Sequence, residues 1–165
     1  MDWDAIGAIG EIVGAAAVVL SLFYVGLQVR QNSTSVRGQT YESLSSSLID
    51  ITMRIAGDAV LSEALNLAVK ESELSEDQER RIVAIFHSYT RVSAAAHYQY
   101  SLGLIGLEQL ENLASSNRIY LRTPIGSRYW ALTRSLFPSD FVTFMDNAIK
   151  ELDASWLDKV QEVLK

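Results

Sequence analysis

The sequence predicts an all-α protein: a single N-terminal transmembrane helix followed by a helical-bundle cytoplasmic domain. Three observations carry that reading. Residues 5–29 hold one charge, Glu11, while almost every other charge lies beyond Val29. Past that point apolar residues recur at spacings of three and four, the period of a helix with one buried face. No run of the chain alternates convincingly in the manner of a half-buried strand.

The first element follows from length and transfer energy. Ala5–Leu27 is 23 residues, of which eleven are Ile, Val, Leu or Phe. At about 1.5 Å per residue it reaches about 34 Å, enough to cross a hydrocarbon layer of ~30 Å. Each of the eleven favours insertion by roughly 0.3–0.6 kcal/mol, against about 3 kcal/mol for an acid at mid-helix, and Glu11 lies off centre. Trp3 and Tyr24, about 31 Å apart along a helix, suit two interfacial anchors. A cleaved signal peptide wants a basic start and a small-residue cleavage site, whereas this chain opens with Asp2 and Asp4 and has no A-x-A after the run. Arg30 and Arg37 follow the span directly, so the positive-inside rule places the N-terminus outside and the rest in the cytoplasm. The expected organisation is therefore 1–32, a span with a short outer tail, and 33–165, a cytoplasmic helical domain.

Within the domain, Ser33, Thr34 and Ser35 are expected to interrupt or cap the first helix. Tyr41, Leu44, Leu48, Ile51 and Ile55 then form a short a/d seam. A helix after Asp58 places Leu61, Leu65 and Ala68 on its inner face. Ser75 and Gln78 have capping-box spacing and open the longest soluble helix, about Glu76–Leu102, closed by Gly103. Its stripe is Ile82, Ile85, Phe86, Tyr89, Val92, Ala96 and Tyr100. A helix over about Leu107–Leu121 follows. Thr123-Pro124 is an N-cap with proline at the first helical position, opening a helix that carries Tyr129, Trp130 and Leu136. Phe137-Pro138-Ser139 breaks it, and a last helix runs from about Asp140 to Leu152, with Ala154–Leu164 as a further short helix or its continuation. The core is expected around Leu48, Phe86, Tyr89, Trp130 and Phe141.

Four stretches carry a resemblance: WDAIGAIGEIVGAAAVVLSLFYVGLQVRQN at the start, HYQYSLGLI at 97–105, TPIGSRYW at 123–130 and LFPSDFVTFMD at 136–146. In this order they make the chain similar to a widespread group of uncharacterised bacterial proteins with one N-terminal span. Members commonly show an acidic residue at the position of Gly106, which here weakens the cap of the helix that follows. The resemblance implies architecture and a bacterial inner membrane, and no mechanism.

Composition excludes several functions. With 14 basic residues scattered among 20 acidic ones and a net charge of −6, the chain lacks the basic stripe of a nucleic-acid binder. Without cysteine there is no disulfide framework, thiolate metal site or cysteine nucleophile. The only histidines, His87 and His97, project about 80° apart on one helix, unlike an i, i+4 metal pair. Alanines occupy the positions where a di-iron bundle has Glu three residues before each His. No P-loop, G-x-S-x-G or dinucleotide fingerprint occurs. His97-Tyr98-Gln99-Tyr100 reads as buried tyrosines holding hydrogen bonds, and Arg128 and Arg134, flanking Trp130, as partners of acids or stacked on aromatics.

Two sets of residues remain as candidates. Gly7, Gly10, Gly14, Ala17 and Ser21 fall within one narrow arc, with Glu11 about 40° from Gly7. Small residues let helices approach closely, and an acid in a span turns toward protein or water, so this face reads as a helix–helix interface. Arg80, His87, Arg91 and Tyr98 share a second face, a partner or ligand surface or an ordinary solvated one. The leading expectation is a non-enzymatic assembly or accessory subunit in the lipid bilayer, a homo-oligomer or part of another membrane complex, without cofactor, metal or nucleic acid. A channel-like assembly with Glu11 on a central path and a helical enzyme acting on a membrane-associated substrate are the alternatives.

Overall fold

The computed structural model describes residues 2–151, and among them every regular element is a helix. The expected interruption at Ser33–Ser35 does not occur: α1, Trp3–Gly57, is one unbroken helix. Ser33 Oγ donates to the Val29 carbonyl at 3.0 Å and Thr34 Oγ1 to that of Arg30 at 3.2 Å. Both hydroxyls are turned back on their own helix, so neither caps a new one. No glycine or proline lies between Leu27 and Arg37 to end it.

Two compact units divide the chain, Met1–Gln39 and Thr40–Lys165. In the first, all described side chains are exposed, and by length and composition the helix is long and apolar enough to cross a membrane.

The second unit is built from capped helices. In α2, Ala59–Val69, the Asp58 carboxylate accepts from the Val60 and Leu61 amides at 3.0 and 3.1 Å. Three otherwise orphaned first-turn amides are thereby reduced by two. In α3, Glu76–Ser101, Ser75 and Gln78 form the reciprocal capping box, with the Ser75 amide donating to Gln78 Oε1 at 2.9 Å. Gly103 ends it at φ +69, a conformation that glycine adopts without strain. In α4, Leu107–Tyr120, the Gly106 amide donates to Gln109 Oε1 at 2.8 Å. Half of a capping box is thus kept without an acidic cap residue. Thr123 caps α5, Pro124–Thr133, accepting from the Gly126 amide at 3.1 Å. A 3₁₀ turn, Arg134–Leu136, leads to α6, Ser139–Lys150.

Periodicity places the core. Phe86, Tyr89, Trp130 and Phe141 are buried together with Ile82, Met145, Ile51 and Ile55, and Leu48 packs against them. Tyr41 and Leu44 lean on a smaller cluster of Ala96, Ile105, Leu110 and Leu113. Leu61 and Ala68 are buried, and Leu65 is half-buried. Three side chains expected inside are not, Tyr98 of α3 among them at 60 % exposed. Tyr100 is 39 % exposed, because the stripe runs out in the last turn of α3. Leu136 is 74 % exposed while Phe137 is buried, since the tighter 3₁₀ turn advances about 120° per residue and changes the phase. The expected helix at Ala154–Leu164, and Leu152, lie outside the described residues.

Candidate functional site

The interface residues proposed from the sequence lie on α1 in the first unit. Gly7, Gly10, Glu11, Gly14, Ala17 and Ser21 are all exposed. A Cβ added at Gly7, Gly10 or Gly14 would meet nothing within 4 Å, so the face is open to a neighbouring backbone. Ser21 Oγ donates to the Ala17 carbonyl at 2.8 Å, which satisfies the hydroxyl inside the helix and lowers its cost in an apolar medium.

The second set lies on the outward face of α3. Arg80 pairs with Glu76 at 2.8 Å, one turn earlier, both side chains largely exposed; such pairs are worth little. His87 Nδ1 lies 3.2 Å from the Tyr129 hydroxyl of α5, with the rings edge to face. Arg91 is exposed, and its guanidinium has no hydrogen-bond or ion-pair partner among the described residues. Tyr98 is 60 % exposed. The four share one face of α3. The expectation that Tyr98 and Tyr100 are buried is therefore corrected. In HYQY it is His97 that turns inward, against the rings of Phe141 and Phe144 at 5.7 and 5.4 Å.

Arg128 and Arg134 do pair with acids. Arg128 meets Glu79 at 2.8 Å. Arg134 meets Asp146 Oδ2, whose other oxygen accepts from Trp130 Nε1 at 2.8 Å. One carboxylate so joins α5 to α6 through two donors. Among the described residues no group of three His, Asp or Glu side chains is placed to hold a metal ion.

Sequence reasoning did not single out a cleft of about 510 Å³ between α2 and the end of α4. Ala59, Ser62, Glu63, Asn66 and Val69, with Leu65, form one wall and Tyr120 the other. These α2 residues recur at three and four, opposite to the core face of Leu61, Ala64 and Ala68. Asn66 Oδ1 is buried without a hydrogen-bond partner among the described residues. The Tyr120 ring lies 5.2 Å from that of Tyr89, and burial, with the neighbouring Tyr89, pushes its pKa upward. Tyr89 in turn lies 3.4 Å from Thr52 Oγ1 on α1. The signal available beforehand was the polar spacing of Ser62, Glu63 and Asn66 along an otherwise apolar helix.

Compared with known protein families, curated proteins and solved structures, the chain matches none.

Proposed function

We propose that this chain is a bitopic protein of the bacterial inner membrane, with its N-terminus outside and its helical domain in the cytoplasm. It acts as a non-enzymatic assembly or accessory subunit that associates with itself through the span and the helical domain. One observation carries the reading: the most apolar window of α1 has none of its residues buried, whereas the core helix of a soluble protein hides such a surface. The alternative of a cleaved leader fits less well. The same helix continues without a break to Ile51 and Ile55, which are core residues of the domain. The open space over Gly7, Gly10 and Gly14 supports close helix–helix approach there.

The test is the mass of the full chain after mild detergent extraction. Gly10→Ile with Gly14→Ile should reduce the assembly to monomers while membrane insertion is retained. Glu11→Gln should leave the mass unchanged if the acid is a hydrogen-bonding contact, and should abolish proton or ion leak in vesicles if it lines a path. A double isoleucine variant that keeps the wild-type mass removes this face from the interface.

A further inference from the structure

The cleft between α2 and the end of α4 is not used by the membrane reading and stands independently of it. Its volume, about 510 Å³, lies inside the range of small-molecule sites, about 300–1,000 Å³. Its chemistry is one-sided. Among the described residues the lining holds Glu63, Asn66, Ser62 and Tyr120 but no lysine, arginine or histidine. Glu63 accepts only, and the one formal charge among these residues is negative. Asn66 adds a specific demand, because its Oδ1 is buried and has no hydrogen-bond partner among the described residues. Buried polar atoms are almost always paired, so an unpaired one beside an open cleft points to a partner from outside the chain. Between these groups run Leu65, Val69 and the ring of Tyr120, which is itself backed by Phe86, stacked at 5.8 Å.

We propose that this cleft binds a small organic amine in its protonated form. Its apolar body lies along Leu65, Val69 and the Tyr120 ring, and its N–H groups are accepted by the Glu63 carboxylate and, as the Asn66 amide turns toward the cleft, by its oxygen. A charged donor meeting a carboxylate gives a charge-assisted bond, and a cation near the Tyr120 ring gains from the ring quadrupole. An anion of the same shape meets Glu63 with like charge and lacks the donors that Asn66 requires.

The test uses the full chain in phosphatidylcholine nanodiscs and three probes that share one ring: tryptamine, 3-methylindole and indole-3-acetate. Saturation-transfer NMR reads binding of each, with Ala59→Trp and Glu63→Gln as variants. Ala59 and Glu63 are both exposed, so neither change disturbs the core. Tryptamine should bind saturably and more tightly than the other two. Glu63→Gln should weaken it about tenfold, the worth of one charge-assisted hydrogen bond, and Ala59→Trp, which fills the cleft, should abolish it. Absence of saturable tryptamine binding, equal binding of all three probes, unchanged affinity in Glu63→Gln, or survival of binding in Ala59→Trp overturns the assignment. The readout does not depend on whether the chain is monomeric or assembled, so its failure is separate from a failure of the span interface.

Discussion

Replacing Gly126 by alanine should destabilise the helical domain, although alanine is the better helix former. Gly126 lies in the first turn of α5 and is buried. An added Cβ there would overlap the Tyr120 carbonyl oxygen and come within 2.8 Å of Leu121 Cα. Carbon atoms pack at about 3.5–4.0 Å, so α5 must shift from the end of α4 by the better part of an ångström. The obstructing atoms are backbone and cannot rotate aside. That shift also strains the Thr123 cap, which accepts from the Gly126 amide at 3.1 Å. Overpacking of this kind costs about 1–3 kcal/mol, and losing the cap about another 1 kcal/mol, against a gain of about 1 kcal/mol in helix propensity. The net expectation is a loss of about 2 kcal/mol, or roughly 5–10 °C in melting temperature for a domain of this size. Thermal unfolding of the full chain in detergent, followed by tryptophan fluorescence, reads it. Gly38→Ala on α1 is the contrast, since a Cβ there meets nothing within 4 Å, and its melting temperature should be unchanged or raised. If Gly126→Ala melts at or above wild type, the close approach of α4 and α5 is not real.

Two further outcomes test the core. Phe86 has no exposed surface, so Phe86→Ala should cost roughly 3–5 kcal/mol in urea unfolding; a loss below about 1 kcal/mol would place the α3 stripe on the solvent side. The Tyr120 hydroxyl has its pKa raised by burial, so the folded state resists ionisation that the unfolded chain undergoes near pH 10. Its contribution is fully present below about pH 10 and is lost as pH rises from there toward the folded value. Tyr120→Phe should flatten the fall of the urea midpoint between pH 8 and 11, and an unaltered slope would show that another group sets it.

What the sequence made legible was local chemistry. The Ser75 and Thr123 caps, the helix start after Asp58, the glycine after α3, and the three- and four-residue spacing of Ile82, Phe86 and Tyr89 each act over a single turn, and each appears as read. The misreadings arise where one local signal has two outcomes. Ser33 and Thr34 cap a helix or fold back onto it, and only the absence of a competing break decides. Leu136 continues an α-helical stripe only if the helix stays α-helical, and the 3₁₀ turn is set by the Phe137-Pro138 exit. Gly126 and the cleft were illegible for a different reason. Both depend on how the end of α4 lies against another element, at Tyr120 and Leu121 in one case and Tyr120 alone in the other. Of the candidate residues, the helical spacing of Arg80, His87, Arg91 and Tyr98 gave a shared face, and Asn66 was recognisable only once its surroundings were in place.

The unbroken course of α1 bears on how the proposed span would answer to lipid thickness. A helix that ended at Ser33 would have its apolar length set by its own terminus. This one continues, so the only stops are chemical: Asp4 before the run and Arg30 after it. Between them Gln28 is polar but uncharged, and Ser21 has its hydroxyl satisfied by the Ala17 carbonyl. In a thinner bilayer the helix would tilt or slide along its axis, and in a thicker one it would draw Gln28 inward, each at fractions of a kcal/mol per ångström. Thickness would then act as a setting on the depth of Glu11, sinking it toward hydrocarbon or returning it to the headgroups without any bond in the protein being broken.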